Sequence, residues 1–227
     1  GAAGNRLSAT ETVRPGGVAH TIDRVYGYDA LYRLTSETIT NNAQTSVLAY
    51  NYDPVGNRLW RSVSNLGALA SQTNSFNAND WLDADTYDSN GNTLLGAGFG
   101  QTGNDGYDFE NRLLTRTVSG KTVTLAYDGD GNRVRKTVVS GGTTNTIYFV
   151  VDELNPSGYA QVLEELTSTN SATAAVERVY GYGTQLISQQ RKEGALWPLS
   201  FYGYDGHQNV RYLTDVNGDI TDTYDYD

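Results

Sequence analysis

Residues 127–138 read YDGDGNRVRKTV, and their first half, Asp128-x-Asp130-x-Asn132, sets an oxygen donor at every second position, as a calcium loop does at its start. A twelve-residue calcium loop opening at Asp128 requires glycine at its sixth position and glutamate at its twelfth. Arg133 and Val139 stand there instead. The same frame recurs with Pro-Val-Gly-Asn at 54–57 and Ser-Asn-Gly-Asn at 89–92, so the second acidic residue is incidental. The stretch is read as a structural turn, because a structural device recurs along a chain.

The recurrence organises the whole sequence. Tyr-Asp begins YDALYRL at Tyr28, YDPVGNRL at Tyr52, YDSNGNTL at Tyr87, YDFENRL at Tyr107 and YDGDGNRV at Tyr127. FNANDWL at Phe76 is a decayed copy with Phe-Asn for Tyr-Asp. The starts are 24, 24, 11, 20 and 20 residues apart. Two lengths occur, with three or four residues between Asp and the Arg-Leu position, and Gly4 to Val13 carries the tail of the longer one.

Between the motifs run alternating stretches rich in β-branched and aromatic residues, such as 117–127, and this period of two predicts strands with one buried face. Gly-Asn and Asp-Gly supply positions that tolerate positive φ, so each motif reads as strand, tight turn, strand. Tyrosines pair two apart at Tyr26 and Tyr28, Tyr50 and Tyr52, Tyr180 and Tyr182, Tyr202 and Tyr204, and Tyr224 and Tyr226, which puts both members on one face. The repeat residues singled out are Tyr28, Asp29, Tyr52, Asp53, Tyr87, Asp88, Tyr107, Asp108, Tyr127, Asp128, Tyr204, Asp205, Tyr224 and Asp225. Each aspartate is expected to bond backbone amides in its turn, and the following arginine to lie across a tyrosine face or meet the aspartate of a neighbouring copy. The fold class is all-β, a repeat architecture of stacked antiparallel β-hairpins forming a spiralling β-sheet ribbon. Residues 1–147 are the hairpin array, and residues 148–227 continue the same sheet.

Composition narrows the chemistry. The 227 residues hold 26 acidic and 16 basic side chains, a net charge of −10, which disfavours broad attraction to nucleic acid or anionic membrane. Without cysteine or methionine there is no disulfide frame, thiolate zinc site or thiol nucleophile. No apolar run reaches the length of a membrane span, and the N-terminal residues lack the plan of a signal peptide.

The spacing loosens beyond residue 147. Ala160 to Leu166 fits either a strand or a short helix, TSTNSATA at 167–174 is a loop or hairpin tip, and Asn217-Gly218 is the strongest hairpin signal in the chain. His20 and His207 lie far apart and lack a nucleophile motif. Asp215, Asp219 and Asp222 form the best carboxylate cluster, read as solvated charges at a hairpin tip in preference to a glycosidase pair or weak calcium site. Glu164-Glu165 and Arg191-Lys192-Glu193 are read as solvated charge runs. No catalytic residue, cofactor site or metal site is assigned, and the expectation is that the protein is not an enzyme.

The YDxxGNRL repeats, followed by VDELNPSGYAQVLEE and YGYDGHQNVRYLTDVNGDITDTYDYD, resemble the Rhs or YD-repeat family, the last two segments resembling its repeat-associated core. The resemblance spans essentially the whole chain. The family includes bacterial polymorphic toxins, the C component of tripartite insecticidal toxin complexes, wall-associated proteins and the animal teneurins. It implies a ribbon coiled into a hollow shell, often around a C-terminal toxin, and a secreted or cell-surface bacterial location. Related cores continue past the final Tyr-Asp into an autoprotease site, so no family catalytic residue is carried onto a position here. Gln208 stands where the family has glycine.

At two strands of about 4.8 Å per hairpin, about ten units give a ribbon roughly 100 Å wide, too narrow to enclose a toxin when closed once on itself. The expected function is a non-catalytic scaffold segment of a shell that encloses a toxin or other partner chain. The alternatives are a head-to-tail extracellular filament, suggested by termini that together complete a motif, and a carbohydrate-binding module. The expected partners are an enclosed cargo domain or identical chains end to end, with neither nucleic acid nor membrane insertion.

Overall fold

The computed structural model describes residues 4–13, 19–67, 69–96, 101 and 103–224. The described elements are all strands, in two compact units, Gly1–Asp85 and Thr86–Asp227. In the first, β1 (Ser8–Val13), β2 (His20–Tyr28), β3 (Leu34–Asn41), β4 (Gln44–Tyr52), β5 (Arg58–Ser64) and β6 (Gln72–Thr73) form one antiparallel sheet in chain order.

The second unit opens with the hairpin of β7 (Thr86–Tyr87) and β8 (Thr93–Leu95). An eleven-stranded antiparallel sheet then runs in chain order through β9 (Gly106–Tyr107), β10 (Leu113–Val118), β11 (Lys121–Tyr127), β12 (Arg133–Ser140) and β13 (Thr143–Asp152). It continues through β14 (Gln161–Thr169), β15 (Ala175–Tyr182), β16 (Leu186–Arg191), β17 (Leu199–Tyr204), β18 (Val210–Thr214) and β19 (Ile220–Thr223). Of the residues read as strand or short helix, 161–166 lie in β14 and Ala160 lies just before it. The 147/148 boundary falls inside β13.

Because each strand pairs with its sequence neighbour, successive connections alternate between the two edges of a sheet. One edge carries the Tyr-Asp turns. On the other, Asn42 and Ala43, Ser119 and Gly120, and Gly141 and Gly142 all hold positive φ in two-residue turns whose twist matches that of the flanking strands. The Asn217-Gly218 hairpin has a five-residue connection, 215–219, and not the two-residue turn that the dipeptide signals.

The apolar core is thin. Among the described residues, Leu48, Leu125 and Leu213 are the buried hydrophobic ones. Register puts Leu48 on the same face as Tyr50 and Tyr52, and Leu213 opposite Tyr202, so the tyrosine-bearing face is the better covered one. The opposite face exposes Val25, Val47, Tyr148, Val150 and Phe201. The glycine inside a Tyr-Gly-Tyr triplet lies on that face under its cross-strand partner: a Cβ at Gly203 would sit 2.2 Å from the Tyr212 ring, and one at Gly27 would sit 2.4 Å from Ser36 Oγ.

Candidate functional site

The recurring feature is a five-residue box that opens on the aspartate of the repeat. Among the described residues eight boxes share one hydrogen-bond pattern, opening at Asp29, Asp53, Asn77, Asp88, Asp108, Asp128, Asp205 and Asp215. The first residue's N–H donates to the carbonyl of the fifth, and the N–H of the fourth donates back to the carbonyl of the first. The first side chain's Oδ1 accepts the amides of the third and fifth residues, as at Leu31 and Arg33 (2.9 Å each) and at Asp130 (3.0 Å) and Asn132 (2.8 Å). The fourth residue always holds positive φ: Tyr32, Gly56, Asp80, Gly91, Asn111, Gly131, Gln208 and Gly218. A carboxylate oxygen thus fills the role that backbone carbonyls play in a regular turn.

The two motif lengths are one loop. In the shorter form the fifth residue is arginine, and Arg33 Nε and Arg112 Nε each donate to the Oδ2 of their own aspartate at 2.7 Å. In the longer form asparagine occupies that position, and Asn57 and Asn92 donate through Nδ2 at 2.9 Å to Asp53 and Asp88. The extra residue falls after the loop, on the strand that leaves it. Both lengths carry the same β-bulge beside the motif tyrosine, where Tyr28 pairs with Leu34 and Tyr52 with Arg58, the partner strand having one extra residue, Thr35 or Leu59. The arginine that the longer form moves one place on still lies over an aromatic ring, Arg58 over Tyr50 at 6.0 Å and Arg133 over Phe149 at 5.3 Å.

In several boxes the fifth side chain also reaches the neighbouring hairpin. Arg33 lies 4.9 Å from the Tyr52 ring centroid and donates from Nη1 to the Asp53 carbonyl at 2.7 Å. Arg112 lies over Tyr127 at 5.1 Å. Asn57 reaches Asp80 Oδ1, Asn92 reaches Asn111 Oδ1, and Asn132 reaches the Glu153 carboxylate. The arginine thus pairs with its own aspartate and meets the neighbouring one only at its main-chain carbonyl. Tyrosine returns the link: the hydroxyls of Tyr52, Tyr107 and Tyr127 donate to the carbonyls of Leu34, Thr93 and Leu113, each just past the preceding box. The hydroxyls of Tyr28, Tyr182 and Tyr204 also donate to main-chain carbonyls, those of Arg6, Val162 and Leu186.

Electrostatics follow from these bonds. The Arg33 amide holds the Asp29 carboxyl below its ordinary range, and the Asn92 side chain does the same for Asp88. At Asp53, Asp108 and Asp128 desolvation pushes upward but is outweighed by the amides and side chains of the fifth residues. The Asn209 side chain lowers Asp205, and the Asp219 amide lowers Asp215. Burial raises Tyr180 and Tyr202, whose hydroxyls donate to Glu165 Oε1 and Gln189 Oε1.

The remaining sequence candidates fall into this frame. His207 is the third residue of a box and donates its amide to Asp205, and His20 Nδ1 lies 3.2 Å from Asn42 Nδ2. Asp215 opens a box that its sequence hides because no tyrosine precedes it; the aspartate with Gly218 three places on is the signal there, a place that Tyr32, Asp80 and Gln208 fill in other boxes. Among the described residues no group of three or more His, Asp or Glu is arranged to hold a metal ion. Tyr87 and Tyr224 end up in β7 and just after β19, and Asp225 lies outside the described residues.

The chain is 32% identical over 208 residues to tRNA3(Ser)-specific nuclease WapA of Bacillus spizizenii, covering 88% of this chain and 8% of that protein. It is 31% identical over 208 residues to tRNA nuclease WapA of Bacillus subtilis, with the same coverage of 88% and 8%. Among solved structures it is similar to the crystal structure of TcdB2-TccC3, with a TM-score of 0.57 at 16% identity, over 94% of this chain and 14% of that one. No family model matches. These likenesses support the Rhs/YD-repeat family and an Rhs-type scaffold fold. They also correct the expectation that the protein is not an enzyme, because the curated relatives are nucleases. The chain spans about 8% of the length of those relatives.

Proposed function

We propose that this chain is a wall segment of an Rhs-type β-scaffold in a longer secreted or cell-surface nuclease, and that the scaffold encloses the toxic part of that protein. The observation that carries this reading is the coupling of box to box. Arg33 to Tyr52 and Asp53 ties one hairpin to the next along a sheet edge, and Asn92 to Asn111 ties the β7–β8 hairpin to the eleven-stranded sheet. Such a sheet draws its order from repeated polar links more than from a thick apolar core, which suits a wall that can lengthen by whole hairpins.

Nuclease action on tRNA comes to the whole protein from its relatives' names. With a net charge of −10, this segment is poorly suited to hold a polyanion by broad attraction, so the tRNA contacts are assigned to other parts of the protein. The motif tyrosines commit their hydroxyls to main-chain carbonyls, which supports scaffold use over a carbohydrate platform.

The test is tRNA cleavage by the full-length protein before and after limited proteolysis within the repeats. Latent activity that appears once the repeats are cut is the expected result. Full activity in the intact protein, with the nuclease region already open to protease, would refute enclosure.

A further inference from the structure

The sequence contains two Asn-Gly pairs, Asn90-Gly91 and Asn217-Gly218, and both occupy the third and fourth positions of a box. Such a pair is chemically labile because glycine's amide nitrogen has no Cβ to hinder its attack on the preceding carboxamide. The backbone is nearly the same at the two sites, with φ of 86° at Gly91 and 85° at Gly218 and an amide bonded to the box's first carbonyl at 3.1 and 3.2 Å. Any difference in reactivity must therefore come from what holds the carboxamide and what covers the glycine.

Those surroundings differ. Asn90 Nδ2 donates to Asn111 Oδ1 at 3.1 Å, in the neighbouring box, and the same oxygen accepts from Asn92. Turning the Asn90 carboxamide toward Gly91 means parting two hairpins. Asn217 Nδ2 donates to Asp215 Oδ2 at 3.2 Å within its own loop, a bond that opens with local motion of that loop alone. Gly218 is exposed, whereas Gly91 is half-buried.

We propose that Asn217 is a selective site of spontaneous deamidation and that Asn111 protects Asn90 from the same reaction. Gly218 N bonds to Asn217 Cγ, the Cγ–Nδ2 bond breaks, and ammonia leaves a succinimide. Water opens that ring to an aspartate or an isoaspartate at position 217. The box tolerates the first product, since Asp130 is the third residue of its own box. The isoaspartate adds a main-chain methylene between the two amides that Asp215 Oδ1 accepts, at Asn217 and Asp219, and so unseats the hairpin of β18 and β19.

The test is incubation of the folded protein at mildly alkaline pH, with peptide mapping by mass spectrometry at both sites and a urea-unfolded control. Relative to the control, Asn217 is expected to convert faster than Asn90, since its restraint lies within one exposed loop and that of Asn90 spans two hairpins. Asn111→Gly, which suits the positive φ at that position, should raise the rate at Asn90 and leave Asn217 unchanged. Equal rates in the unaltered folded protein, or faster loss at Asn90, would overturn the proposal without any variant.

Discussion

Arg33 and Tyr52 belong to different repeats, yet the guanidinium lies 4.9 Å from the ring centroid while its Nε holds Asp29. One side chain thus closes its own loop and positions the next. Arg33→Lys keeps the charge but loses the fork that serves both partners, so it should lower the urea midpoint nearly as far as Arg33→Ala. A double-mutant cycle with Tyr52→Leu should return a coupling of about 0.5–1 kcal/mol. A lysine variant as stable as the parent would show that charge alone suffices.

The box opening at Asn77 shows that a neutral oxygen can accept the two loop amides, those of Asn79 and Trp81. Asp108 is different, because Arg112 Nε donates to its Oδ2. Asp108→Asn would set an NH2 group against that donor, so the isosteric change should lower the denaturation midpoint, while Asn77→Asp should barely move it. Equal responses at the two positions would contradict this assignment.

Gln208 holds φ +66° where Gly56, Gly91, Gly131 and Gly218 serve in other boxes. The left-handed conformation costs a side chain more than glycine's added chain entropy costs, so Gln208→Gly should stabilise by ~0.5–1 kcal/mol. Gly56→Ala should destabilise by a similar amount for the same reason, since nothing within 4 Å would meet the new methyl group. Urea denaturation of the two variants checks both signs.

Seven box aspartates, Asp29, Asp53, Asp88, Asp108, Asp128, Asp205 and Asp215, titrate below their ordinary value of 3.8 in the folded chain. The unfolded chain therefore takes up protons first as pH falls. Their stabilising contribution is complete above the unfolded value, and it is lost as pH drops below 3.8 and through the folded values. Glu153 has the opposite sign: desolvation and the neighbouring Asp130 raise it above 4.5, so its protonation favours the fold. Thermal midpoints should hold or rise slightly toward pH 5 and fall steeply below pH 3.8, and Glu153→Gln should remove only the rise.

The hairpin repeat was legible because Tyr-Asp, glycine and period-two alternation are local signals that survive in a single copy. FNANDWL proved to be a box for the same reason, its asparagine offering the same acceptor as aspartate. The unity of the two motif lengths was hidden, because sequence spacing counts to Arg-Leu whereas the loop counts to its fifth residue, whatever that residue is. Asp215 escaped because the tyrosine marks the bulge and not the box. The nuclease relatives could not be anticipated from residues that make up only 8% of those proteins.

The most direct test of the central claim, that one loop closed by its first side chain underlies both motif lengths, is amide hydrogen exchange at the fifth positions of the aspartate boxes, Arg33, Asn57, Asn92, Arg112, Asn132, Asn209 and Asp219. The account predicts protection at all seven at neutral pH, in both motif lengths. Free exchange at the asparagine-closed positions beside protected arginine-closed ones would contradict it.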